Sequence, residues 1–384
     1  MSQTNKNGTL ITRMACAIFF LLFTFLYLYE YQSDVLAVAQ HVLSHGATHY
    51  NRTVGAVLIT VALWLIQIGI YAISGLSRKC HALTYLPSML LLGIITDVSP
   101  SFATGCYPYF WLWVFPLLMV FYAYVVWVAR QLEPMEMPVT STGILSMMSW
   151  LNILQMLVMA LIVCGIGNSN EILHYRLRTE TLLQEGNYAK AAMIGDDDMK
   201  TDSSLTCLRI WALSEEGKLG EKLFDYPLVG KSDAMLPNGK SVKIMMAPEE
   251  SLYKNIGVVF KQKVRPRRYL ELVHERHFAT RHAHDYLLCA YLLDCDIDAF
   301  AKALPHYYNI KGELPKNYRE ALVLYNHVRN RPLIVYHSNV MDADYDDFEK
   351  LSKDNTKSRE ERLSNLKDSY GNTYWFYYLA QSKR

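Results

Sequence analysis

Long stretches almost without formal charge constrain this chain more than any other feature. Apolar runs occupy residues 11–29, 54–76, 82–98, 109–129 and 144–166. A bilayer core of ~30 Å needs about 20 helical residues, because lipid cannot satisfy a bare peptide group. The second, fourth and fifth runs meet that length and carry no charge. The first has Arg13 at its start and Tyr27, Tyr29 and Tyr31 at its end, an interfacial pattern. It lacks a small-residue cleavage site and reads as an uncleaved signal anchor. The third is shorter, holds Pro87 and ends at Asp97, so it reads as a short tilted span or a re-entrant segment.

Charge divides the sequence. Residues 1–167 hold 11 charged side chains, whereas the following 217 residues hold 63. The first part is too poor in charge for a watered surface, and the second matches an ordinary soluble domain. The expected fold is all-α: a polytopic transmembrane helical bundle of about five spans in residues 1–167, then a soluble helical domain in residues 168–384. The seven cysteines show no metal-site spacing, and a disulfide framework is not expected. A net charge of +2 with no basic tail gives nucleic-acid binding little support.

Sidedness follows from the basic residues. With five spans, Lys6, Arg13, Arg78, Lys79 and Arg130 fall on one side, and the short loops of the other side receive only Arg52. That bias places the N-terminus in the cytoplasm of a bacterial inner membrane and the C-terminal domain outside, in the periplasm of a double-membraned host. If the third run does not cross, the parity reverses.

The soluble part reads as helices joined by tight turns. A first helix is expected over residues 170–185, followed by Gly186-Asn187-Tyr188-Ala189-Lys190-Ala191. Gly just past a helix, followed at once by a new amphipathic start, marks a helical hairpin. The pattern returns at Gly217, then more loosely at Cys295 in the place of Gly, and partially at Pro315 to Leu322. Residues 226–250, with the turn Pro237-Asn238-Gly239, interrupt it as an irregular insertion. The aromatic tail from Tyr374 to Tyr378 is expected as a terminal helix closing the stack.

The spacing Gly186-x-Tyr188-x-x-Ala191, with its recurrence near 34 residues, resembles the tetratricopeptide repeat. The resemblance implies paired helices stacked into a concave, peptide-binding groove. Lys222 stands where the second unit should have Ala, so the array would be divergent. The whole layout is also similar to uncharacterised bacterial polytopic membrane proteins of unknown function.

Four sets of residues carry candidate chemistry. His41, His45 and His49, with Asp34, would share one face if helical and would offer imidazoles to a zinc ion. The alternative is an interfacial amphipathic helix. His274, His277, Arg281 and His284 would line one side of a single helix over residues 269–293 and bind an anionic ligand once protonated. The alternative is a polar helix face. Asp342, Asp344, Asp346 and Asp347 begin like a calcium loop, but Asp347 replaces the required Gly, so a solvated loop is expected. The cluster Asp196 to Asp198 reads the same way. Asp97, at the end of the third run, and Asp34 are the candidate catalytic groups at the membrane surface, and a hydrated loop residue is the alternative for Asp97.

No phosphate loop, nucleophile elbow or mid-span Arg or Lys is present in the sequence. The expectation is therefore a non-enzymatic, membrane-anchored helical-repeat scaffold that binds a protein or peptide partner at the cell envelope. An envelope enzyme or assembly factor acting on a lipid-linked or polymer substrate, with zinc as its one conceivable cofactor, is the alternative. A transporter component ranks last, since five apolar spans make a poor conduit alone.

Overall fold

The computed structural model describes residues 3–76, 78–99, 109–132, 146–196, 198–260, 264–354 and 358–382. Cys106, Glu133, Glu136 and Asp197 lie outside them. Two compact units, Met1–His174 and Tyr175–Arg384, are described in turn.

The first unit holds α1 (Gln3–Leu26), α2 (Ser33–Leu43), α3 (Arg52–Ser74), α4 (Leu86–Thr96), α5 (Trp111–Leu132) and α6 (Met147–Ile166). Four helical stretches are long and apolar enough to cross a membrane: Leu10–Tyr31, Arg52–Ser74, Trp111–Gln131 and Met147–Ile166. The third apolar run is not among them. It forms a 3-10 stretch, Arg78–Tyr85, that continues into the short α4. Pro87 sits in the first turn of α4, where its missing N–H breaks no helical bond. Among the described residues there are thus four long apolar helices and one shorter one, the latter being the run expected as a short span or re-entrant segment.

Side-chain hydrogen bonds register that short segment against its neighbours. Asn152 Oδ1, near the start of α6, accepts the Ala82 N–H at 2.8 Å, and the Asn168 N–H just past α6 reaches the Thr96 carbonyl at 3.1 Å. Residues 82–96 therefore run parallel to α6 along its whole length. Against α3 they run antiparallel, since Gln67 donates to Thr84 Oγ1 and Ser88 donates to the Leu63 carbonyl, both at 2.9 Å. Buried polar groups paired in this way fix helix register where the surroundings are apolar. Phe20, Tyr85, Met89, Leu92 and Met156 fill the interior between these elements. Leu112, Trp113, Leu117, Val120 and Phe121 of α5 are exposed, as expected for a face turned to lipid.

The regular elements described in the second unit are helices: α7 (Glu171–Gln184, most of which it contains), α8 (Tyr188–Met193), α9 (Ser203–Glu215), α10 (Leu219–Lys222), α11 (Glu249–Ile256), α12 (Pro266–Glu275), α13 (Arg281–Leu293), α14 (Ile297–Ala303), α15 (Lys316–Val328), α16 (Asn339–Lys353), α17 (Arg359–Tyr370) and α18 (Tyr374–Ser382). α9 and the later turns of α13 are buried on nearly every side and form the centre of the core.

One turn geometry occurs four times among the described residues of this unit. Gly186, Gly217, His277 and Cys295 all adopt left-handed φ, between 56° and 72°. Each donates its N–H three residues back, and the next residue donates five back, as in Lys218 N–H to the Leu213 carbonyl at 2.8 Å. This pairing closes a helix with a Schellman turn. Gly adopts left-handed φ without a Cβ penalty, whereas His277 and Cys295 hold it at a cost of about 1 kcal/mol.

Residues 226–250 contain a short 3-10 turn, Ser232–Ala234, and no strand. Their anchor is Glu180 on α7, fully buried, whose carboxylate accepts the Met246 N–H at 2.6 Å and the Met245 N–H at 3.0 Å. Burial raises the Glu180 pKa, and the two backbone N–H groups oppose that rise. The aromatic tail is α18, with Tyr374 and Trp375 buried against the core.

Candidate functional site

The sequence-derived sites fare differently. α2 ends at Leu43, so His41, His45 and His49 do not share a helical face. His45 turns left-handed at φ 50°, Gly46 follows at φ 78°, and the Gly46 N–H caps the helix at the His41 carbonyl. Asp34 lies in the first turn of the same helix, two turns from His41. Among the described residues no group of three His, Cys, Asp or Glu side chains is gathered to hold a metal ion. Asp97 follows α4 and accepts a hydrogen bond from Trp111 Nε1 at 2.8 Å. The acids at 342–347 lie on α16 rather than in a loop, where Asp347 pairs with Lys350 and Asp346 faces His327.

Residues 269–293 are not one helix. α12 ends at Glu275, the chain turns at His277, and α13 begins at Arg281. The break separates exposed His277 from the rest and folds α13 back beside α12. His274 and His284 are thereby brought together, with Nε2 and Nδ1 3.2 Å apart.

His284 borders a cleft of about 510 Å³, with His274 behind it. The Gly217 turn contributes Glu215 and Glu216 to one wall. The first turn of α13 contributes Arg281, His282, His284 and Asp285, and the segment after α14 contributes Tyr307 and Tyr308. The Tyr307 ring stacks on His284 with centroids 4.3 Å apart. Asp285 is fixed from behind, because the hydroxyls of Tyr308 and Tyr318 both donate to its Oδ1, at 2.7 and 2.8 Å. Tyr318 is itself fully buried.

Hydrogen bonding sets the imidazole tautomers. His274 Nδ1 lies 2.7 Å from the Leu270 carbonyl, which can only accept, so Nδ1 carries the proton. In the neutral ring His274 Nε2 is then an acceptor, and His284 Nδ1 donates to it. His284 Nε2 is left with a lone pair. His282 follows the same logic: its Nδ1 donates to the Ser214 carbonyl at 3.1 Å, and its Nε2 is bare in the neutral ring. Burial lowers the pKa of His274, against the Leu270 bond, which raises it. Burial also lowers that of His284, partly offset by Asp285. Both shifts favour the neutral rings. Arg281, at the exposed mouth, makes no hydrogen bond or ion pair among the described residues.

Sequence reading found His274, Arg281 and His284 but missed Glu215, Glu216, His282, Asp285, Tyr307 and Tyr308. Asp285 was within reach, one turn from Arg281 on the same helix start. The glutamates come from a distant hairpin, and nothing local announces them. A second cleft of about 520 Å³ is lined by Tyr253, Phe260 and Tyr269 among others.

No curated protein and no solved structure matches this chain. Residues 243–381, which include α11 to α17, most of α18 and the α13 side of the cleft, match a family of unknown function (DUF6057), and over that stretch the chain is similar to it.

Proposed function

We propose that the chain is a membrane-anchored helical scaffold that binds a segment of a protein or peptide partner at the cell envelope. The observation carrying this reading is the cleft between the Gly217 turn and the start of α13. Its polar groups are held by the fold in fixed orientations before any ligand arrives, and such preorganisation reduces the entropy lost on binding. The recurring Schellman turns at Gly186, Gly217 and Cys295 favour a divergent tetratricopeptide-like array as the frame for the cleft.

Sidedness extends the proposal. Beyond a kink at Cys80, five residues of 3-10 helix and 11 of α-helix rise about 27 Å, near the thickness of a bilayer core. Their parallel register with α6 supports a fifth passage. The N-terminus and the second unit would then lie on opposite sides of a bacterial inner membrane. Arg52, the one basic residue of the outer short loops, is paired with Glu30 at 2.8 Å.

Affinity capture with detergent-solubilised full-length protein tests the scaffold reading. Wild type should recover a partner that Glu216→Lys, altered only at the cleft rim, does not. Identical recovery by both proteins would contradict a cleft-bound partner.

A further inference from the structure

Resting on that scaffold reading, we infer that the cleft takes a positively charged side chain, Lys or Arg, of the partner peptide. Glu215, Glu216 and Asp285 supply three carboxylates, and Arg281 is the one permanent cation among the lining residues. The tautomer relay from the Leu270 carbonyl through His274 leaves His284 Nε2 an acceptor, and the Ser214 carbonyl does the same for His282. The side chains lining the interior therefore accept hydrogen bonds far more than they donate them. Only a donor-rich guest satisfies such walls, and a guanidinium or ammonium is donor-only.

Three further features agree. Both Tyr308 and Tyr318 spend their hydroxyl protons on Asp285 Oδ1, which leaves the Oδ2 lone pairs for a guest. Tyr307, whose ring stacks on His284, brings to the cleft wall an aromatic side chain of the kind on which guanidinium planes stack. Glu215 and Glu216 have local donors, Trp211 and Asn255 for the first and Lys218 for the second, and these leave further carboxylate lone pairs open. The sign is the reverse of the anionic ligand that His274, His277, Arg281 and His284 suggest as a sequence, because the fold hides His274, removes His277 and adds three acids.

The test measures binding of fluorescent hexapeptides to full-length protein in nanodiscs by polarisation. One peptide carries Arg and Lys, one carries Glu and Asp, and one is neutral; spermidine is a separate competitor. The basic peptide should bind at least about ten-fold tighter than the acidic one. Asp285→Asn, which keeps the Oδ1 acceptor for both tyrosines, should weaken it about ten-fold. Glu216→Gln should weaken it about three-fold, and Arg281→Ala should strengthen it by a similar factor. Tighter binding of the acidic peptide, or its loss in Arg281→Ala, would overturn the inference. So would spermidine binding tighter than any peptide, since the guest would then be a free polyamine. If capture by the full-length protein still depends on Glu216 while no basic peptide binds, the charge assignment fails and the scaffold reading survives.

Discussion

The carboxylate of Glu320 accepts the backbone N–H of Tyr374 at 2.7 Å and so pins the start of α18 to α15. The Glu320 carbonyl in turn accepts from Trp375 Nε1 at 2.7 Å. Burial pushes the Glu320 carboxyl up from 4.5 to about 7; the Tyr374 N–H, Lys316 and Arg319 oppose that rise, and Asp225 adds to it. The folded state therefore holds the proton more tightly than the unfolded one. Its stabilising effect is complete below the ordinary value and is lost as pH rises through about 7. At about 1.4 kcal/mol per unit, the docking of α18 should weaken by roughly 2–3 kcal/mol between pH 4.5 and 7. Hydrogen exchange at residues 374–382, corrected for intrinsic rates, should show this loss in wild type and not in Glu320→Gln. Equal pH dependence in the two proteins would refute it.

Glu180 should matter more than any exposed acid. It is fully buried and satisfies two backbone N–H groups of the irregular insertion. Glu180→Ala strands both donors, at on the order of 3 kcal/mol. Exchange should accelerate at Met245 and Met246 while the hairpin at Gly217 keeps its protection.

Two neighbouring glycines should respond in different ways. Gly217 holds φ 68°, and a Cβ there meets nothing within 4 Å, so Gly217→Ala costs the left-handed backbone alone, about 1 kcal/mol. Gly220 has ordinary φ, but its Cβ would lie 2.7 Å from the Tyr318 ring. Tyr318 is fully buried and tied to Asp285, so it has little room to yield. Gly220→Ala should cost about 1–3 kcal/mol and should also impair the cleft, read as weaker binding of the basic hexapeptide. Gly217→Ala should leave that affinity within about two-fold, a change on the order of 0.4 kcal/mol.

Membrane topology offers a separate check. Alkaline phosphatase fused after Arg384 should be active in cells, and a cytoplasm-only fluorophore at the same place should stay dark. Bright fluorescence would mean that residues 78–96 do not cross. Asn152→Leu, which removes the acceptor for the Ala82 N–H, should loosen that segment and raise labelling of Cys80 by a water-soluble maleimide.

The apolar runs were legible because hydrophobicity is a property of each stretch by itself. The turns at Gly186, Gly217 and Cys295 were legible for a similar reason, since each closes within six residues. The turn at His277 was not, because no Gly or Pro marks it and His274 to His284 keeps a helical spacing through the break. At residues 342–347 the acids suggested a loop, yet Tyr345 and Phe348 bury against Trp375 and draw the segment into α16. The cleft itself was invisible, because its two walls meet only through the packing of hairpins that are distant in sequence.

The central claim is that the cleft contacts a partner, and photo-cross-linking in intact cells tests it most directly. Tyr307→p-benzoylphenylalanine places the probe on the cleft wall, and the same replacement at exposed Lys302 on α14 is the control. The account predicts a discrete cross-linked product from position 307 that disappears when Glu216→Lys is added, with none from position 302. Equal products from both positions, or a product from 307 that survives Glu216→Lys, would contradict it.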